Sequence, residues 1–375
     1  MHGAWVDGMV PSLLTGIECQ TGIGVPVKRQ EGTEMKITRV GLDLAKEVFQ
    51  VHAVDGDEQP VMRRQLKRRQ VLAFFARLDR VEGCVVGMEA CCGADYWARE
   101  LIKLGYVARI MNPAFVKPYV KANKNDARDA EAICEAVGRP TMRFVAVKSL
   151  EQHDLMLLHR QREQYVKRRT ALANQIRGTL GQYGIVLSKG LGSLRRALPR
   201  LLEDASNALT VLAREMYAES YRELCELDEK VARLEGKLQH LARQDDRCVR
   251  LMSIPGIGVL SSTAFVGQLG DGAQFAKARQ CAAHLGLVPR QHSSGGKERL
   301  LGISKRGDRY LRTLLVHGAR AALRTAGTKE DRRSRWMREV AATHHANVAA
   351  VALANRNART AWALLRSGEL YQVTA

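Results

Sequence analysis

Cysteines do not occur in any pattern that would build a scaffold or a structural metal site. The eight cysteines are scattered along 375 residues, and no two of them form a C-x-x-C pair. Structural zinc sites and disulfide frameworks depend on regular spacing, so neither is predicted. Cysteine usage of this kind is typical of a protein that stays in the reducing cytoplasm, and that is the location we predict.

Long apolar runs are also lacking. No stretch reaches the ~18 consecutive apolar residues of a membrane span, so no transmembrane helix is predicted. The first 34 residues contain no charged segment leading into an apolar core, and they are not predicted to be a signal peptide. Because the first strand pattern begins just after Met35, residues 1–35 are interpreted as a disordered arm or an over-extended start.

Acidic side chains are the minority among the charged residues. Asp and Glu number 39 against 59 Lys and Arg, which leaves a net charge of +20 and a pI near 9.9. From Arg290 to Glu339 the imbalance is steeper, with 14 basic and 5 acidic residues. Such a field attracts polyanions, so nucleic acid is the predicted partner. The length exceeds that of a usual single domain, and two or three domains are expected.

Four of the acidic residues nevertheless fall at positions where secondary structure would aim them inward. Asp43 and Glu89 each end an apolar, strand-like run. Asp126 and Asp129 lie in a stretch of helix formers, and their spacing of three places them on one helical face. Taken singly, each could be a turn or capping residue. Taken together, they favour a site for a hard divalent cation such as Mg²⁺, because crowded carboxylates repel each other without one.

The pattern around these carboxylates predicts an α/β domain over residues 36–148. Three β-rich runs come first, and strands and helices then alternate as far as the helix that carries Asp126 and Asp129. The three β-rich runs are residues 37–42, 48–54 and 61–66. They are followed by a predicted helix over 69–78, a strand ending at Glu89, a helix over 96–104 and a strand over 107–111. This order fits the ribonuclease H-like fold, in which the carboxylates of the first and fourth strands lie side by side.

Residues 149–245 read as helix. Two leucine-rich stripes with spacings of three and four are separated by a break at residues 181–192. The second stripe is coiled-coil-like. We predict long helices that either pack as an antiparallel hairpin or serve oligomerisation.

Residues 246–375 are predicted to form a mostly helical C-terminal domain. The run from Ser253 to Val259 fits either the hairpin of a helix-hairpin-helix motif, in which Gly256 and Gly258 approach a DNA phosphate, or a plain Pro-Gly turn between helices. Ser293 and Ser294 precede two glycines, and from residue types alone this run is interpreted as a flexible loop. Five basic residues are predicted to contact the phosphate backbone: Arg290, Lys297, Arg299, Lys305 and Arg306.

Five motifs resemble, in order and spacing, those of the insertion sequence 110 family of DEDD transposases, relatives of the pilin-gene invertases. They are Val40-Gly41-Leu42-Asp43-Leu44-Ala45-Lys46, Gly87-Met88-Glu89-Ala90, Asn123 to Ala130, Pro255-Gly256-Ile257-Gly258, and Gly286-Leu287-Val288-Pro289 through Gly307-Asp308. The resemblance covers about residues 36–330, is weaker over 332–375, and does not include the segment before Met35.

The resemblance implies a fold and a set of catalytic residues. It implies a RuvC-like N-terminal domain whose tetrad of Asp43, Glu89, Asp126 and Asp129 binds Mg²⁺ or Mn²⁺, a helical linker, and a C-terminal domain with a serine nucleophile. Ser294 is the favoured nucleophile and Ser293 the second choice, because the serine directly before the glycine matches the motif better. This implication reverses the loop interpretation.

The resemblance also implies partners. These are donor and target DNA, a structured guide RNA encoded by the element, and further copies of the chain in dimers that assemble as tetramers on DNA. The implied location is the bacterial cytoplasm, associated with the nucleoid. The alternative function is a RuvC-like junction endonuclease, which needs only the tetrad and uses water as its nucleophile.

Overall fold

The computed structural model describes residues 36–120, 126–328 and 330–372, without the side chains of Asp126, Ala127 and Thr328. The predicted arm, residues 1–35, lies outside the described residues. The strands are β1 (Ile37–Asp43), β2 (Val48–Val54), β3 (Pro60–Lys67), β4 (Arg80–Glu89), β5 (Val107–Met111), β6 (Phe144–Val145), β7 (Pro289–Gln291) and β8 (Leu300–Ile303). The helices of the N-terminal part are α1 (Val71–Arg77), α2 (Ala94–Lys103), α3 (Pro113–Val116) and α4 (Asp126–Val137).

The remaining helices follow after residue 149. They are α5 (Leu150–Leu180), α6 (Leu191–Glu203), α7 (Val211–Gln244), α8 (Asp246–Met252), α9 (Val259–Leu269), α10 (Ala278–His284), α11 (Arg309–Arg324), α12 (Arg332–Thr343) and α13 (Ala346–Ser367). Within the described ranges, no helix is both long enough and apolar enough to cross a membrane.

A mixed six-stranded sheet organises the N-terminal part. Its strand order is β3-β2-β1-β4-β5-β6. The first three strands form an antiparallel meander, β1 pairs with β4 in parallel, and β4 pairs with β5 in parallel. The predicted α/β class is confirmed, and the central mixed sheet agrees with a ribonuclease H-like fold for this part of the chain. The sequence did not reveal β6 or α3, which are two and four residues long.

Each face of this sheet is covered by helices. On one face, Trp97 and Leu101 of α2 pack with Phe49 and Phe75 in a buried core. On the other face, α4 lies so close to β1 and β4 that only glycine fits beneath it. A Cβ at Gly41 would overlap the carbonyl oxygen of Ala130 and lie 2.6 Å from the amide nitrogen of Cys134. These contacts fix the height of α4 above the sheet.

The middle of the chain forms a helical arm, made of α5, α6 and α7. Arg162 on α5 binds Glu235 on α7 at 2.8 Å from Nε to Oε1, and Arg169 binds Asp228 at 2.8 Å. Since the partners run in opposite directions along the two helices, α5 and α7 are antiparallel. Helix α6, which the sequence did not reveal, packs onto this pair with buried leucines such as Leu194.

The C-terminal part surrounds a second large core. Helices α8 to α13 contribute most of its buried side chains, including Phe265 and Leu315. Leu155 from the start of α5 and Leu238 from the end of α7 are buried in the same core. The base of the helical arm is therefore packed into the C-terminal part, while the division at residues 148 and 245 stays a prediction.

Candidate active site

Two of the predicted carboxylates lie at the ends of neighbouring parallel strands. Gly41 of β1 is paired with Gly87 of β4, and Asp43 and Glu89 follow two residues later on each strand. Because side chains two apart point to the same face of a sheet, both carboxylates lie on the face that α4 covers. Both are half-buried.

Asp129 approaches these two carboxylates from α4. It directly precedes Ala130, whose carbonyl oxygen lies over Gly41, and its side chain is half-buried. Burial raises the pKa of the Glu89 carboxyl, and the negative charges of Asp43 and Asp129 raise that pKa further. Asp43, Glu89 and Asp129, hereafter the carboxylate cluster, therefore share one electrostatic environment.

The fourth member of the predicted tetrad is less fully placed. Asp126 is the first residue of α4, three positions before Asp129, but its side chain lies outside the described residues. Among the side chains that the structure describes, no three His, Cys, Asp or Glu residues are grouped closely enough to hold a metal ion. The chemistry of the cluster still fits Mg²⁺ or Mn²⁺, because its donors are all carboxylate oxygens whose mutual repulsion a divalent cation would relieve.

The second predicted site is a β-hairpin rather than a flexible loop. Strands β7 and β8 pair as antiparallel partners, and Ser294 forms a bridge with Lys297 beyond them. Gly295 and Gly296 both have positive φ, at +57° and +75°. Two such residues make the primed type of turn that joins tightly paired strands, so the glycines shape the tip of the hairpin. We call residues 289–303 the serine hairpin.

The two candidate nucleophiles have different surroundings. The Oγ of Ser293 accepts hydrogen bonds from the Arg299 backbone N–H at 3.3 Å and from the Gln291 side-chain amide at 3.1 Å. The Oγ of Ser294 has no hydrogen-bond partner among the described residues, and the side chain is exposed. The hydroxyl of Ser294 is thus available, whereas that of Ser293 helps to hold the hairpin together.

The predicted basic contacts all lie on or beside this hairpin. Arg290, Lys297, Arg299, Lys305 and Arg306 are exposed. In the described part of the chain none of the five forms an ion pair. Below them, Arg312 of α11 donates to the carbonyls of Leu285 and Arg306 at 3.0 and 2.9 Å, which fixes the base of the hairpin.

The turn between α8 and α9 separates the roles of its two glycines. Gly256 has a φ of +89°, and a Cβ there would lie 2.7 Å from the carbonyl oxygen of Gly318 on α11. Glycine is therefore required at position 256, where the turn packs closely against α11. Gly258 is exposed, and a Cβ there would contact nothing within 4 Å, so its backbone is the more accessible of the two.

In a comparison with known proteins, both halves of the chain match transposase families. Residues 40–185 match the DEDD transposases of IS110 type, and residues 248–336 match the IS116/IS110/IS902 transposase family. A probable family 20 transposase of Pseudomonas aeruginosa is 51% identical over 339 residues, which cover 90% of this chain and 99% of that protein. The chain belongs to the IS110 family of transposases. The resemblance inferred from the five motifs is thereby confirmed, and this transposase is an enzyme that acts on DNA.

Other relatives extend over nearly the whole transposase as well. The transposase for insertion sequence element IS1111A of Coxiella burnetii is 44% identical, covering 93% of this chain and 94% of that protein. The transposase for insertion sequence element IS1328 of Yersinia enterocolitica is 37% identical, and the match covers 89% of this chain and 98% of that protein.

The segment that joins the two halves of the transposase, around Lys148 and Gln152, forms hydrogen bonds with both halves. The Lys148 backbone N–H donates to Asp95 of α2 at 2.8 Å, and its carbonyl accepts from Arg99. Four residues later, the Gln152 amide donates to the carbonyls of Val266 and Gly267 in α9. The carboxylate cluster precedes this segment in the chain, whereas the serine hairpin follows it.

Proposed function

We propose that this transposase cuts and rejoins DNA through the hydroxyl of Ser294, assisted by a divalent cation held by Asp43, Glu89, Asp126 and Asp129. The observation that carries the proposal is the shared environment of the carboxylate cluster, in which Asp43 and Asp129 raise the pKa of Glu89. A transposase that concentrates negative charge at one edge of its sheet, while its net charge is +20, has placed that charge where a cation can compensate it.

The cation would be Mg²⁺ or Mn²⁺. When bound, it supplies Lewis-acid polarisation of the scissile phosphate. The chain contributes the placement of its ligands: β1 and β4 present Asp43 and Glu89 side by side, and α4 brings Asp129 to them with Asp126 one helical turn away. The glycine contact at Gly41 sets that distance.

Ser294 would attack phosphorus and displace the 3′ oxygen, which leaves a phosphoserine link and a free 3′-hydroxyl. The covalent link conserves the energy of the phosphodiester, so strands can be exchanged and resealed without ATP. The exposed and unpartnered hydroxyl of Ser294 supports this choice over Ser293, whose Oγ already accepts two hydrogen bonds.

We further propose that the complete site forms between protomers of a homodimer that assembles as a tetramer on DNA. About 165 residues separate Asp129 from Ser294, and the two residues lie on different parts of the fold, one on α4 and the other on the serine hairpin. The leucine stripe of α7 is buried within the chain from Leu224 to Leu238, so it fits the antiparallel hairpin, and the proposed contact between protomers must use other surfaces.

A structured guide RNA from the element is the proposed source of sequence specificity. The basic residues of the serine hairpin and the open backbone at Gly258 support contacts to phosphates, which position nucleic acid without reading its sequence. Base pairing by RNA would supply the reading. Sequencing RNA that co-purifies with the protein, and aligning it to DNA flanking the reading frame, tests this part separately.

Trapping the covalent intermediate tests the central proposal. A DNA substrate nicked close to the cleavage site releases its short fragment after attack, so the protein stays attached and migrates with DNA on a denaturing gel. Wild type and Ser293→Ala should form this adduct in Mg²⁺. Ser294→Ala should form none while binding DNA normally. Cleavage of branched DNA without any adduct would establish the junction endonuclease, in which water is the nucleophile.

A further inference from the structure

The register of the serine hairpin assigns each side chain to one of its two faces. Gln291 is paired with Leu300, the His292 backbone N–H donates to the Arg299 carbonyl at 2.9 Å, and Ser294 is bridged to Lys297. Paired residues point to the same face, and neighbours in sequence point to opposite faces. One face therefore carries His292, Ser294, Lys297 and Arg299. The other carries Gln291, Ser293, Glu298 and Leu300.

The side-chain contacts agree with this assignment. The Gln291 amide lies 3.1 Å from the Oγ of Ser293 and 3.4 Å from the Oε1 of Glu298, so these three side chains meet on one face. Glu298 is the one acidic residue between Pro289 and Ile303. The face that carries Ser294 therefore holds a hydroxyl and three basic side chains with no carboxylate, a composition that fits a phosphate group.

Lys297 is the basic residue opposite Ser294. The Lys297 backbone N–H donates to the Ser294 carbonyl at 3.1 Å, which identifies them as a hydrogen-bonded pair. Their Cα atoms are then about 5.5 Å apart, and a lysine side chain spans that distance easily. An ammonium group at this position can bind a non-bridging oxygen of the phosphate that Ser294 attacks.

The remaining question on this face is which group takes the proton of the serine hydroxyl. Arginine stays protonated in proteins, which excludes Arg299. Lysine acts as a base where burial disfavours its charged form, and Lys297 is exposed. Imidazole is the side chain best suited to accept a proton near neutral pH, and His292 stands two residues from Ser294 on the same face.

From this geometry, and resting on the proposed function, we infer that His292 is the proton acceptor for Ser294 and that Lys297 binds the attacked phosphate. As the Oγ–P bond forms, the Oγ–H bond breaks and its proton passes to a ring nitrogen of His292. The P–O3′ bond breaks, and the 3′ oxygen takes a proton from water to become the hydroxyl. Resealing runs the same transfers in reverse.

Single-turnover formation of the covalent adduct on the nicked substrate measures this role. His292→Gln keeps a polar side chain of similar reach but accepts no proton at neutral pH, and the adduct rate should fall on the order of 10²-fold. DNA affinity, measured by fluorescence anisotropy, should stay within about twofold, because uncharged contacts contribute little to backbone binding. The matched control is His317→Gln, an exposed histidine of α11, which should leave both quantities unchanged.

Added imidazole separates proton transfer from mere positioning. In His292→Ala, free imidazole should restore a substantial part of the lost adduct rate, because the hairpin is exposed and the base can diffuse in. A rate that imidazole leaves unchanged would make His292 a positioning residue and overturn the inference. Lys297→Gln should weaken DNA binding and slow the adduct, whereas Lys297→Arg should preserve most of both.

The outcomes also distinguish this inference from the proposed function. If wild type forms the adduct and His292→Gln forms it at the same rate, the inference is wrong while the serine mechanism stands. If wild type forms no adduct, the serine mechanism itself is wrong, whatever the histidine variants do.

Discussion

The carboxylate cluster and the serine hairpin are built on opposite structural principles. The cluster lies between a six-stranded sheet and a helix that approach so closely that a single Cβ at Gly41 would collide with backbone. The hairpin is exposed from Pro289 to Gly302 and is fixed only at its base. Groups that repel each other require a rigid frame to hold them together, whereas the proposed nucleophile must reach DNA and is better placed on an exposed turn.

After removal of the Ser294 hydroxyl, which should abolish the adduct, neutralising one member of the cluster should have the largest effect. Asp43→Asn removes a negative charge beside Glu89 and a proposed ligand of the cation, so the adduct rate should fall on the order of 10³-fold. The pKa of Glu89 should move down toward its ordinary value, because the charge of Asp43 helps to raise it. Carboxyl NMR titration in metal-free buffer reads that pKa. Ser294→Ala serves as the control, since it should abolish the adduct and leave the Glu89 titration unchanged.

A methyl group beneath α4 should cost the most stability. Gly41→Ala places its Cβ on the Ala130 carbonyl, and such overpacking should lower the free energy of unfolding by about 3 kcal/mol. Urea denaturation measures the loss. An unchanged denaturation midpoint would show that α4 can move away from the sheet. The claim that the carboxylate cluster lies in a rigid frame would then be wrong.

Acid should destabilise the core below the serine hairpin. His159 is buried, with Nδ1 3.0 Å from the Tyr310 hydroxyl and Nε2 2.9 Å from the Thr263 hydroxyl, and burial lowers its pKa to about 4. Since the unfolded chain binds this proton near pH 6.5, the contribution is complete above that pH and is lost as the pH falls toward 4. Its full size is about 3 kcal/mol.

His159→Gln should flatten this part of the stability profile, as measured by denaturation from about pH 7 to about pH 4. Glu89 should respond in the opposite sense, because burial and its neighbours raise its pKa. The charged carboxylate opposes folding above its unfolded pKa, and protonation as the pH falls relieves that cost. A wild-type profile that His159→Gln leaves unaltered would contradict the assignment.

The smallest effect is expected at the tip of the hairpin. Gly296 has a φ of +75°, and a methyl group added there would meet nothing within 4 Å, so Gly296→Ala introduces only backbone strain of about 1 kcal/mol. The free energy of global unfolding should fall by no more than this strain, because the hairpin contributes no buried side chain to the core. The adduct rate should fall by about fivefold, which corresponds to that strain. Gly296→Ala and Gly41→Ala add the same methyl group to the two regions, so their losses of unfolding free energy can be compared directly.

Local pattern was sufficient for the elements that are long and periodic. The strands bearing Asp43 and Glu89 and the helix bearing Asp129 were all predicted, because alternation and helical spacing are properties of neighbouring residues. Helix α6 and the serine hairpin were not predicted. The hairpin strands are three and four residues long, too short for any period to register, and glycine-rich turns look like loops in sequence.

The sequence by itself determined the basic charge, the strand-end carboxylates and, through five ordered motifs, the family of this transposase. Only the tertiary structure decided that Asp129 lies near Glu89, because their proximity depends on how closely α4 packs over Gly41 on the face of the sheet. It also decided which serine hydroxyl is free, because the hairpin register turns Ser293 toward Gln291 and leaves Ser294 among basic side chains. Long-range packing and strand register are relations between distant residues, and no local pattern encodes them.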